Sequence, residues 1–429
     1  MALRLSWAYS ITGRPERLRG QYRRALHQKS GETELLKHLR SQLKAAGPIT
    51  VADYMREVLT NPTAGYYMHK DVFGTQGDFI TSPEISQMFG ELLGVWCVNE
   101  WMLGGSPRSM QVVELGPGRG TLAQDMLRVF QQFPMMQDVV SLHLVEVSPK
   151  MAAMQEERLT GVIEDDKRKN AASGGDIVYK KRKTKAGVQI SWYSDIHDVP
   201  QGFSCYIAHE FLDALPVHKF QRTPQGWREV LVDVDDGEGP HHLRFVLSPT
   251  PTAACKGFIQ AGEKRDHLEV CPQAGVLVQH LADRIVEHGG AALLADYGHD
   301  GTKTDTLRGF RNHQLHEVLQ EPGSADLTAD VDFSYLRHMC AGKGKALTHG
   351  PITQREFLEN MAIELRLQVL QRNADESQRK DLLSGYDMLT NPDKMGDRFK
   401  FFSITRQRTQ PKGSRTPSEP AGFYRLEFQ

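Results

Sequence analysis

The residues with the types and spacing for chemistry fall on a few short stretches. In Glu114-Leu115-Gly116-Pro117-Gly118-Arg119-Gly120 a glycine turn follows the apolar pair Val112-Val113. Leu122, Met126, Leu127 and Phe130 then recur at helical spacing, so the stretch reads strand, turn, helix. Gly116, Gly118 and Gly120 allow positive φ and close approach of backbone to a ligand. The helix start offers free N–H groups. An α/β protein builds a nucleotide-type pocket this way, at the carboxyl end of its first strand. Glu146 closes the next apolar run, 141–147, where a carboxylate can accept both ribose hydroxyls of an adenosine. His209-Glu210-Phe211-Leu212-Asp213 follows the apolar run 204–208 and sets two carboxylates beside an imidazole.

The spacing separates two ligand readings. A dinucleotide fingerprint, Gly-x-Gly-x-x-Gly, would put its last glycine at Thr121. The stretch Glu114 to Gly120 instead resembles the first motif of class I S-adenosylmethionine (SAM) methyltransferases, with Glu114 as its acid. Asp195 follows a strand at about 188–193, where such enzymes place an acceptor for the adenine amine; Asp198 is its neighbouring competitor. Thr81 and Ser82, with Gly77-Asp78-Phe79, lie ahead of the glycine motif on a loop that could fold over the ligand. Ser82 is the expected cap, with Pro83 at the first helical position, of one helix carrying Ile85, Met88, Phe89, Leu92, Leu93 and Trp96.

The elements that position these residues can be read in order. Residues 32–44 and 51–59 read as helices, the second with Thr50 and Asp53 as a capping box. Residues 164–187 read as a charged, solvated insertion. Residues 217–247 alternate as hairpin strands, within a β-rich insertion at 217–270 between strands four and five. A crossover helix at 275–288 leads to strand five, 291–296. The acidic stretch Asp326 to Asp332 precedes an apolar helix, and either a basic substrate or simple capping accounts for it. Strands at 345–349 and 399–405 flank helices at 354–372 and 376–389. The order predicts an α/β, doubly wound, Rossmann-like sheet with its ligand at the switch point, and SAM as that ligand.

The chain has 429 residues, with Lys plus Arg 52 and Asp plus Glu 53, so bulk charge points to neither nucleic acid nor a membrane surface. No apolar run reaches the ~18 residues of a membrane span. The five cysteines form no Cys-x-x-Cys pair, and no metal site is expected. Residues 1–30 are rich in arginine and poor in acids, the composition of a mitochondrial transit peptide. The expected organisation is 1–30 transit peptide, 31–108 helical cap, 109–405 methyltransferase domain and 406–429 flexible tail.

Four strings in order carry a resemblance: Gly77-Asp-Phe-Ile-Thr-Ser-Pro-Glu-Ile-Ser-Gln, Val113-Glu-Leu-Gly-Pro-Gly-Arg-Gly-Thr-Leu, Ala208-His-Glu-Phe-Leu-Asp-Ala-Leu-Pro-Val-His and Asp296-Tyr-Gly-His. Together they resemble the MidA-like family of mitochondrial protein arginine methyltransferases, from about residue 34 to about residue 405. The resemblance implies a class I SAM-dependent fold with a seven-stranded sheet. It also implies symmetric dimethylation of an arginine on a core subunit of the peripheral arm of respiratory complex I, in the matrix. The family's glycines map onto Gly116, Gly118 and Gly120, and its acidic position onto Glu146. Glu210 and Asp213, after strand four, are the candidates to grip the substrate guanidinium, with His209 the candidate proton acceptor; which of the three holds the guanidinium or takes its proton stays open. An alternative is a SAM-binding assembly chaperone for a complex I subunit.

Overall fold

The computed structural model describes residues 32–69, 80–136, 138–161, 180–237, 242–342, 344–407 and 419–424. The expected transit segment, Gly77-Asp78-Phe79 and His241 lie outside the described residues, as does the insertion before Lys180.

Apolar runs bounded by glycine or polar turns build the central sheet. Seven of the nine strands described in it are β1 (Met110–Leu115), β2 (Val140–Val145), β3 (Gln189–Tyr193), β4 (Ser204–His209), β5 (Gly290–His299), β6 (Ala346–Thr353) and β7 (Phe399–Arg406); the short strands Lys180–Lys183 and Val331–Asp332 pair with β3 and β5. The seven lie in the order β6-β7-β5-β4-β1-β2-β3. Strands β1 to β5 pair in parallel, and β7 runs antiparallel between β5 and β6. The expected class I α/β arrangement is thus the one observed. The order reverses at β1 and β4, where Leu115 pairs with Ala208. Leu115 also pairs with Val145, and His209 with Ala295. Gly116, Glu146, the His209 loop and Asp296 therefore emerge along one edge of the sheet, at its switch point.

Helices cover both faces, as a parallel sheet requires. On one face, Trp96 and Phe89 of the helix Gln87–Leu103 join Trp192 and Leu142 of the sheet in a dry core. Gly94 lets that helix approach Thr121–Phe130, because a Cβ there would lie 3.0 Å from Val129 Cβ. On the other face the helices Pro272–His288 and Phe333–Cys340 pack over Tyr206, Ala292 and Leu294. Each fully buried Leu or Phe stabilises by roughly 1.5–3 kcal/mol.

A separate five-stranded antiparallel sheet stands at the carboxyl edge. It is built from His218–Thr223, Gly226–Val234, Leu243–Leu247, His267–Val270 and the short strand Ile49–Thr50. The helices Glu34–Ala46 and Val51–Thr60 bury Leu39, Tyr54 and Met55 against Val230 and Val232 of this sheet. The N-terminal helices and the β4–β5 insertion thus share one core beside the site.

Several local expectations need correction. The helix expected to run on from Ser82 is two helices, Ser82–Ile85 and Gln87–Leu103, broken at Ser86. Ser86 is extended and its hydroxyl accepts from Met88 N, so Ser86 is the cap of the long helix; Ser82 is already inside the short one, after Thr81. The insertion expected over 164–187 ends in structure: Lys180–Lys183 pairs antiparallel with β3, and Lys180 and Arg182 both reach Glu156. Residues 354–372 split at Met361, where Ala362 takes a φ of 62°. The expected flexible tail is anchored in part: Ala421 is buried, Asn360 donates to Gly422 O at 2.9 Å, and Phe423 packs edge-on against Phe357.

Candidate active site

The glycine turn takes the conformation its residues allow. Gly116, Gly118 and Gly120 have φ of 62°, 52° and 78°, the left-handed region that favours glycine. A Cβ on Gly116 would lie 2.7 Å from the Phe211 ring, so the turn after β1 and the loop after β4 are in contact. Gly120 ends the turn and begins the helix Thr121–Phe130.

Two carboxylates flank this turn. Glu146 is buried beyond β2, where Oε1 accepts from Ser148 N at 2.8 Å and Oε2 from Gln155 Nε2 at 3.0 Å. Burial pushes its carboxyl up to about 7 against those donors. Glu114, at the end of β1, is pushed up to about 8 by burial and then by the Asp125 and Glu146 charges. Its Oε2 is buried with no hydrogen-bond partner among the described residues.

Gln155 is the residue that sequence reasoning missed on this side. It is fully buried on the helix Pro149–Thr160. Besides Glu146, its Nε2 donates to Gly118 O at 2.7 Å, and its Oε1 accepts from Trp192 Nε1 at 2.9 Å. One amide therefore ties the glycine turn, Glu146 and the core. In sequence it is one polar residue in a run that also carries Glu156, Glu157 and Arg158, with nothing to mark it as buried.

The loop after β4 is anchored by Asp296, which is fully buried in β5. Its Oδ2 accepts from Phe211 N, Leu212 N and Asp213 N at 3.1, 2.9 and 3.2 Å, and its Oδ1 from Tyr297 N at 3.0 Å. Glu210 takes a φ of 47°, unusual for a residue with a Cβ. Its Oε1 accepts from Ser82 N at 3.3 Å and lies 3.2 Å from His209 Nε2. The His209 ring packs on Phe89, centroids 4.8 Å apart. Asp213 is buried and its Oδ2 accepts from Tyr297 OH. Burial pushes its carboxyl up to about 6; Tyr297 opposes the rise and Glu210 adds to it. The Arg308 guanidinium stacks 5.1 Å above the Tyr297 ring and pairs with Asp330 at 2.6 Å. In sequence Asp296 only ends strand five and, with Tyr297, forms part of a family string.

Other expected residues are placed differently. Asp195 is exposed and caps its own turn, accepting from His197 N at 2.8 Å, with His197 Nδ1 at 2.6 Å. The acids of 326–332 are engaged internally. Asp326 accepts from Tyr67 OH at 2.7 Å, Asp330 holds Lys303 and Arg308, and Asp332 holds Arg265 while capping its helix. Ser82 is fully buried with its hydroxyl unpartnered among the described residues. Thr81 makes no side-chain capping bond.

An adenosyl amino acid needs a close-approach cradle, an acceptor for its ribose diol, and polar partners for its ammonium and carboxylate. The glycine turn, Glu146, the unpartnered Glu114 Oε2 and the unpartnered Ser82 hydroxyl match that set. The sheet order and this set of residues define a class I SAM-dependent methyltransferase.

Comparison with known proteins agrees. A family described as S-adenosyl-L-methionine-dependent methyltransferases matches residues 92–352. The mouse protein named mitochondrial protein arginine methyltransferase NDUFAF7 is 56% identical over 409 residues, 92% of each chain. The human protein of that name is 55% identical over 92% of this chain and 91% of its own. The Drosophila melanogaster homologue is 48% identical over 87% and 85%. A solved structure from Burkholderia thailandensis, bound to S-adenosyl-homocysteine, shares the fold at a TM-score of 0.69 and 24% identity, covering 92% of this chain and 95% of that one. The chain belongs to the NDUFAF7 family of protein arginine methyltransferases, the MidA-like group.

Proposed function

We propose that the chain is a mitochondrial SAM-dependent protein arginine methyltransferase. In this reading it forms symmetric dimethylarginine on a core subunit of the peripheral arm of complex I, in the matrix, as a step in complex I assembly. The relatives' names support arginine as the acceptor and mitochondria as the compartment. The observation that carries the site assignment is the free oxygen of Glu210. Asp296 is committed to backbone donors and Asp213 to Tyr297, whereas Glu210 Oε2 has no partner among the described residues.

SAM supplies an electrophilic methyl group on its sulfonium. The chain's residues must hold an acceptor nitrogen in line with it, and positioning supplies much of the rate. The acceptor guanidinium stays protonated at neutral pH, with a pKa above ~12. Glu210 grips its planar fork and stabilises the positive charge as the bond forms. His209, 3.2 Å from the same carboxylate, is placed to hold the departing proton. Asp213 is the positioning partner, fixing the loop through Tyr297. Glu114, Gly116, Gly118, Gly120, Glu146, Thr81, Ser82 and Asp195 serve the donor side.

The test is Glu210→Gln, with tritiated methyl transfer to complex I subunits and S-adenosylhomocysteine binding measured on the same protein. Turnover should fall at least about 100-fold while binding stays within about twofold. Unchanged turnover would remove Glu210 from the mechanism. In cells, loss of one symmetric dimethylarginine with Glu210→Gln would support the product assignment. An unaltered methylation map with failed assembly would favour the chaperone reading. That reading gains little from the acidic stretch 326–332, whose Asp326, Asp330 and Asp332 are internally engaged.

A further inference from the structure

The segment Thr81–Ser86 touches both halves of the site. On one side Ser82 N donates to Glu210 Oε1 at 3.3 Å, on the acceptor loop. On the other, Glu84 reaches the donor turn: its Oε1 accepts from Thr121 Oγ1 at 3.1 Å, and its Oε2 lies 3.6 Å from Arg119 Nη1. Thr121 Oγ1 in turn accepts from Arg158 Nη1 at 2.8 Å, on the helix that carries Gln155. The Glu84 side chain is only 14% exposed, so these are sheltered contacts rather than a solvated surface pair.

The segment is also backed from outside. Gly385, on the helix Glu376–Thr390, faces it so closely that a Cβ would lie 3.0 Å from Ser86 Cβ and 3.2 Å from Ile85 O. Ser86 then caps the helix Gln87–Leu103, which is packed into the core. A segment held behind and pinned on both flanks transmits the position of one flank to the other.

We infer that Glu84 is a positioning residue that registers the acceptor carboxylate of Glu210 to the SAM turn. Its carboxylate sets the segment against Thr121 and Arg119, and Ser82 N, two residues away, sets Glu210. Ligand binding at the glycine turn is thereby felt at the acceptor loop through Glu84. This rests on the SAM-site reading above and adds a coupling that no single-site role contains.

Hydrogen exchange of the whole protein, with and without S-adenosylhomocysteine, tests it. In the wild type the ligand should slow exchange at 116–121, 82–86 and 210–213. In Glu84→Ala the slowing should persist at 116–121 and disappear at 210–213, with affinity about tenfold weaker. Thr121→Val cuts the same link from the other side and should give the same pattern, so a poorly folded Glu84 variant does not end the test. Ligand-induced slowing of 210–213 that survives in both variants would overturn the coupling. A wild type with no slowing at 116–121 would instead overturn the SAM-site reading on which the coupling depends.

Discussion

The substitution Gln155→Leu isolates the polar link between the core and the glycine turn. The two side chains are similar in size, so packing changes little. What is lost is the donation to Gly118 O and Glu146 Oε2 and the acceptance from Trp192 Nε1. Each bond contributes about 0.5–1.5 kcal/mol net, and a buried donor or acceptor left unpaired costs about 1–3. The expected destabilisation is about 3–5 kcal/mol, read from denaturant unfolding. The more specific effect is on pH. Glu146 sits at about 7 because burial raises it and its donors oppose the rise. A ribose diol prefers the ionised acid, so affinity should strengthen as pH rises through that value. Losing the Gln155 donor moves the midpoint upward; a loss of about 1.4 kcal/mol is one pH unit. At pH 7.5 the ionised fraction then falls about threefold, and S-adenosylhomocysteine affinity with it. Calorimetric titration from pH 6 to 9 would show this. Gln155 makes no bond to Glu114, so a shifted midpoint reports on Glu146. Identical midpoints in both proteins, or a flat profile in the wild type, would refute the assignment of Glu146 to the diol.

Other outcomes follow from the same geometry. Gly116→Ala should weaken S-adenosylhomocysteine binding at least about tenfold, because φ is 62° and the new Cβ would lie 2.7 Å from Phe211. Gly105→Ala, at φ 88° with open space around it, should carry only the backbone cost and leave binding unchanged. Tyr297→Phe removes the hydroxyl that lowers Asp213, so Asp213 should titrate above about 6 and the acid limb of the turnover–pH profile should move upward, with ligand affinity unchanged. Phe357→Ala removes a ring stacked 3.9 Å from Phe401, and should destabilise the protein by about 3–5 kcal/mol in denaturant unfolding.

What was legible in the sequence was local. The strand–turn–helix at Glu114–Gly120, the acid after β2 and the loop after β4 each lie in one short window, where hydrophobic period and glycine spacing are direct signals. What was not legible depends on distant partners. Phe211–Asp213 are tethered to Asp296, more than 80 positions away in the chain. Lys180–Lys183 has no apolar alternation and is held as a strand by pairing with β3 and by Glu156. The break at Ser86 hid inside a continuous apolar stripe, because Ile85 and Met88 suit either one helix or two. Ile49–Thr50 is too short to show a period, yet it joins the N-terminal helices to the insertion sheet.

The acids at the carboxyl edge show how donors sort residues that composition cannot. Glu210, Asp213 and Asp296 look alike in sequence: each follows or ends an apolar run. The backbone gives Asp296 four N–H donors, enough to occupy both oxygens and make it the anchor of a loop. Asp213 receives a phenol, in a buried setting that already raises its proton affinity. Glu210 Oε2 has no hydrogen-bond partner among the described residues, and Glu210 takes a positive-φ backbone that most residues avoid. Backbone strain of this kind costs of order 1–3 kcal/mol and persists where surrounding contacts over-determine it. Here those contacts are Asp296 holding the residues just beyond Glu210 and Ser82 holding its carboxylate. The anchor therefore makes the Glu210 geometry possible, and under the proposed role of Glu210 Asp296→Asn should lower turnover without any contact between Asp296 and substrate, because it puts an amide donor against a backbone donor.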